Sequence, residues 1–150
     1  LHQAHQARRA FEPKCMQVLV EIVKATKAEI VLSSSWRLNK SQLARVDQVL
    51  KHYKLAGLWG VIGSVDGTSR GAEIQRWIRA KFGALPKVRW IAVDDLDMAV
   101  EIGQEHMVHT HPRHGLRKRD FERAVAILNE TELPECEFDF DSDSSESFDD

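Results

Sequence analysis

The sequence predicts an α/β domain, a parallel sheet with helices on both faces. Short β-branched runs alternate with stretches whose apolar residues recur at helical spacing. At 150 residues the chain suits one domain, and 43% hydrophobic with 29% charged residues is an ordinary soluble composition. Polar and charged residues follow the strand-like runs, and in open α/β sheets chemistry lies beyond the carboxyl ends of the strands.

Residues 1 to 12 are polar, without periodicity, and read as an N-terminal loop. Pro13 suits a first helical position. Met16, Leu19, Ile22, Val23 and Thr26 then predict a helix over 13 to 27. Glu29 to Leu32 is a short β-branched strand that runs into three serines. Leu43, Val46, Leu50 and Tyr53 line one face of a second helix, 41 to 53. Leu58 to Ile62 is a weaker strand interrupted by Gly60. A third helix opens at Ser69 or Arg70, carries Ile74, Trp77, Ile78 and Phe82 on its apolar face, and ends at Gly83.

Val88 to Val93 reads as the strongest strand. A short helix over 98 to 102 and a strand over 106 to 109 follow. The last helix, 117 to 129, turns Phe121, Ala124, Val125 and Leu128 inward. The domain boundaries are therefore 1–12 loop, 13–129 α/β domain and 130–150 tail.

The net charge of −2 hides a split. Ten acidic residues and no Lys or Arg lie between Glu130 and Asp150, which leaves +8 on residues 1–129. Such a tail reads as disordered and solubilising, and its serines among acids suit acidophilic phosphorylation. The basic body permits nucleic-acid contact. No apolar run approaches the roughly 18 residues of a membrane span, and no signal-peptide pattern opens the chain. Cys15 and Cys136 are far apart and form no CxxC pair, so no disulfide partner is expected. This usage fits a reducing, intracellular compartment, the cytoplasm.

Four segments hold residues suited to chemistry. Ser33, Ser34 and Ser35, followed by Trp36 and Arg37, stand at a strand-to-helix turn. Hydroxyls and amides there either hold phosphate oxygens or satisfy the turn and cap the helix. Asp94 and Asp95 end the strongest strand. Adjacent carboxylates suit a hard cation such as magnesium, and acids also favour a helix start. Arg70 at the third helix start is either a phosphate ligand or a surface arginine. His106, His109, His111 and His114 are closely spaced, but Pro112 interrupts them and no cysteine or acid lies among them, which is a poor zinc pattern.

The order I-V-L-S-S-S-W-R (30 to 37), S-R-G-A-E-I-Q-R-W-I (69 to 78), W-I-A-V-D-D (90 to 95) and H-T-H-P-R-H-G-L (109 to 116) resembles the haloacid dehalogenase (HAD) superfamily. Within it, the chain is similar to the small HAD domains associated with Swiss Army Knife RNA repair proteins, over roughly residues 11 to 128. The resemblance implies a Rossmann-like fold and magnesium-dependent hydrolysis of phosphate esters. It implies Ser33, with Ser34 as the alternative, as the phosphate-binding hydroxyl. It also implies Arg70 as the phosphate-neutralising cation and Asp94 with Asp95 as the magnesium ligands. The substrate class would be a phosphorylated small molecule or a nucleic-acid end.

One departure bears on both fold and activity. The family's first motif is a hydrophobic strand ending in D-x-D-G, whose first Asp is the nucleophile. It should precede the helix at Pro13, yet residues 1 to 12 contain no aspartate. Ser64-Val65-Asp66-Gly67-Thr68 follows the second motif instead and is better explained as a D-G turn. The sequence thus reads as a truncated HAD domain, inactive by itself and lacking the central strand. The alternative is a non-catalytic phosphate- or RNA-binding remnant. Loss of a central strand predicts either an unstable chain or closure of its two flanking strands onto each other.

Overall fold

A computed structural model describes residues 11–33, 39–84 and 87–129. Residues 1–10, Ser34 with the neighbouring Trp36 and Arg37, and the acidic tail lie outside the described residues. The chain is a mixed α/β structure with small parallel sheets, as the alternation of strands and helices predicts.

Helix α1 (Pro13–Thr26) starts with proline in its first turn and stops at Lys27 in the left-handed conformation (φ 60°). Strand β1 (Ile30–Leu32) follows, then α2 (Lys40–His52). The Asn39 side chain caps α2 by accepting from the amides of Ser41 and Gln42 at 2.9 and 3.2 Å. Strand β2 (Leu58–Val61) lies parallel to β1, with Leu32 opposite Val61. A turn closed by the Thr68 amide on the Val65 carbonyl (3.0 Å), with Gly67 at φ 78°, accounts for the D-G segment. Helix α3 (Arg70–Phe82) leads on to β3 (Ala92–Asp94) and α4 (Ala99–Ile102). After a 3₁₀ turn come β4 (Met107–His109), parallel to β3, and α5 (Lys118–Asn129).

The third predicted strand is much shorter than its sequence pattern suggests. Only 92–94 pair with β4. Upstream, the Trp90 carbonyl bonds His106 Nδ1 at 2.9 Å and the two rings stack with centroids 3.9 Å apart. A side-chain contact replaces ladder pairing there.

Among the described residues the strands form two separate pairs, β1–β2 and β3–β4. Among the described residues β1 and β3 do not pair, so the predicted closure of the flanking strands does not occur. Side chains join the pairs instead. On one face Ile74 and Ile78 of α3 pack with Ile62, Ala92, Met98, Ile102 and Met107, and Val31 of β1 lies against this cluster. On the other, Met16 and Leu19 of α1 pack with Ile30, Leu32, Val46 and Leu50, while Val18 and Ile22 of the same helix pack with Val108 and Ala124. Strand alternation makes this possible: Val31 faces α3 while Ile30 and Leu32 face the α1–α2 side. Val93, with 41% of its surface accessible, is left outside all three clusters. No described helix is long and apolar enough to cross a membrane.

Candidate phosphate and metal site

Helix α3 positions the arginine. Its N-cap, Ser69, accepts from the Ala72 amide at 3.2 Å, and the Ser69 hydroxyl donates to the Glu101 carboxylate of α4. Gly71 in the first turn permits that approach, since a Cβ there would lie 2.5 Å from Glu101 Oε1. Ser69→Ala removes both bonds and is expected to cost about 1–2 kcal/mol of stability, measured by urea unfolding. A loss below about 0.3 kcal/mol would show that α3 starts without this cap.

Arg70, the first residue of α3, donates from Nη1 to Asp94 Oδ2 at 2.7 Å. The side chains are 27% and 11% exposed, so this is a largely desolvated ion pair. It links the segment after β2 to the carboxyl end of β3. The second Asp94 oxygen, Oδ1, accepts from the Leu96 amide at 2.9 Å, and the Asp94 carbonyl accepts from the Thr110 amide at 2.9 Å. Next to it stands Asp95, at an exposed position. Desolvation, then the adjoining Asp94 carboxyl and its charge, push the Asp95 carboxyl above its ordinary value; Arg70 opposes the shift. The Asp95 carbonyl is 3.0 Å from His109 Nε2, which must be the donor because a carbonyl only accepts.

The structure therefore brings Arg70, Asp94 and Asp95 together. Ser33 directly follows β1, whose Leu32 carbonyl accepts from the Ile62 amide at 2.9 Å, so it stands at the carboxyl edge of the other strand pair. Ser34 lies outside the described residues. His109, singled out in the sequence within the histidine cluster and the 109–116 segment, anchors the Asp95 backbone, a role its spacing does not show. Glu101, which the sequence does not single out, holds the α3 start, and only the fold brings it near.

Magnesium fits this donor set. It takes hard oxygen ligands, commonly one or two carboxylates with the rest from water and phosphate. Asp94 and Asp95 supply two adjacent carboxylates at the end of β3. The histidines have other work. His106 bonds Trp90, His109 bonds Asp95, and His111 Nδ1 accepts the amides of Arg113 and His114 at 3.0 and 3.1 Å. Among the described residues no group of three or more His, Cys, Asp or Glu is placed to hold a metal.

A family profile described as the HAD domain in Swiss Army Knife RNA repair proteins matches residues 1–121. The match takes in the first ten residues, which the motifs alone did not reach, and stops within α5. No curated protein and no solved structure matches the chain. HAD domains generally use magnesium. The ordered motifs, the α/β architecture and a profile match over most of the sequence agree: the chain belongs to the HAD domain family of Swiss Army Knife RNA repair proteins.

Proposed function

We propose that this domain is the phosphate- and magnesium-binding part of a HAD phosphohydrolase, and that the chain by itself does not turn substrate over. The observation that supports it most is the Arg70–Asp94–Asp95 group at the end of β3. Arg70 would hold a phosphate oxygen, exchanging Asp94 for a charge-assisted bond of the same strength. Ser33, with Ser34 as the alternative, would donate a hydroxyl to a second oxygen. Asp94 and Asp95 would hold magnesium, which when bound offsets negative charge on the phosphoryl group. The substrate class is a phosphorylated small molecule or a nucleic-acid end.

The second reading, a non-catalytic phosphate- or RNA-binding domain, is favoured by the +8 charge of residues 1–129, which permits nucleic-acid contact. Both readings require Arg70 to bind phosphate. Arg70→Gln is expected to weaken inorganic phosphate binding in the presence of magnesium by roughly tenfold or more. Isothermal titration of the full chain measures it, and unchanged affinity removes Arg70 from the site. Turnover of p-nitrophenyl phosphate by the chain as it stands would overturn its proposed inactivity.

A further inference from the structure

A pocket of about 420 Å³ lies between the start of α1 and the start of α5. Lys14, Arg117 and Lys118 line it with His114, and Glu12 is the one carboxylate among its described lining residues. The Nε of Arg117 is buried and has no hydrogen-bond acceptor among the described residues. A desolvated guanidinium N–H without an acceptor is costly, and a phosphate oxygen is the partner it matches best. At the α1 start, Glu12 makes no side-chain cap and the first turn holds no acid, so the helix end adds positive potential.

The loop that forms one wall begins at the acidic pair. Its Thr110 amide bonds the Asp94 carbonyl, it turns between His111 and Gly115, and it ends at Arg117. Gly115 presses this loop onto α1. It has φ 65°, and a Cβ there would lie 2.9 Å from Cys15 Sγ, which itself donates to the His114 carbonyl at 3.3 Å. The positive field is registered by His111, whose ring is held below its ordinary value by burial and then by His114, Arg117, Arg119 and Arg113.

We infer that this pocket is a second phosphate site, taking one phosphate group of a substrate that carries two, such as a nucleic-acid end whose other phosphate lies at Arg70. The two-phosphate part rests on the proposed role of Arg70; phosphate binding in the pocket does not.

The test uses the full chain, with inorganic phosphate and adenosine 3′,5′-bisphosphate as probes. The Arg117 Nε–H nuclear magnetic resonance signal is expected to shift on titration with inorganic phosphate. Lys14→Gln with Lys118→Gln, both at exposed positions, is expected to weaken that titration about tenfold. The bisphosphate should bind about tenfold tighter than adenosine 5′-monophosphate, an advantage the lysine variant loses. An unmoved Arg117 signal, or full affinity in the lysine variant, overturns the pocket. A moving signal with no bisphosphate advantage overturns the two-phosphate assignment. Arg70→Gln separates the two sites, because the Arg117 response to phosphate must survive it; loss of that response overturns the pocket as an independent site.

Discussion

Replacing Asp94 and Asp95 together by asparagine is expected to weaken magnesium binding at least about a hundredfold. Each variant position loses a charge-assisted interaction of about 1.5–3 kcal/mol, and the two act on one cation. Isothermal titration of the full chain with magnesium reads this directly, and equal affinity in wild type and variant removes the metal assignment. Asp95→Asn alone gives a second readout with a definite sign. Because its folded-state pKa is raised, Asp95 favours the metal-free fold fully only below its unfolded value. That contribution is lost as pH rises through the folded pKa, so at neutral pH the ionised group is a liability. Metal-free Asp95→Asn should therefore melt at a higher temperature than wild type at pH 7, and the gap should close near pH 3. Added magnesium should raise the melting temperature of wild type and leave the double variant unmoved.

Ile74→Ala is expected to destabilise the fold by about 2–5 kcal/mol, measured by urea unfolding. Ile74 is buried in the α3 cluster that touches β1 of one strand pair and β3 and β4 of the other. Among the described residues the β1–β2 and β3–β4 pairs share no ladder, so a cavity at Ile74 weakens the packing that holds them side by side. Against a typical total of about 5–15 kcal/mol, this is a large fraction. Val100→Ala, at a fully exposed position, serves as the control and should stay within about 0.5 kcal/mol. A loss below about 1 kcal/mol at Ile74 would show that α3 does not carry the junction.

The helices were legible because each carries its own signal. Pro13 opens α1, Gly83 follows α3, and the apolar faces repeat at helical spacing. The strands were legible in place but not in length. Val88 to Ile91 has strand composition, yet Trp90 turns to stack on His106, a partner sixteen residues away. Asp94 and Asp95 were legible because paired carboxylates after a strand are unusual locally. That Arg70 meets Asp94 rather than standing free was not legible, since their contact depends on where α3 lies against β3. The pocket between α1 and α5 was equally hidden. Its cations come from segments about a hundred residues apart, and the buried state of Arg117 Nε exists only once the helices pack.

The Arg70–Asp94 ion pair fixes the start of α3 to the end of β3, and among the described residues no backbone ladder joins the β3–β4 pair to the β1–β2 pair. A junction built from side-chain packing permits small sliding motions that a continuous hydrogen-bonded sheet would forbid. A ligand that engages Ser33 from one pair and Arg70 with the acidic residues beside the other would then act as a cross-link. Its occupancy would be felt as mechanical stiffness: slower amide exchange in β1 and β3 together, although the two strands share no ladder among the described residues.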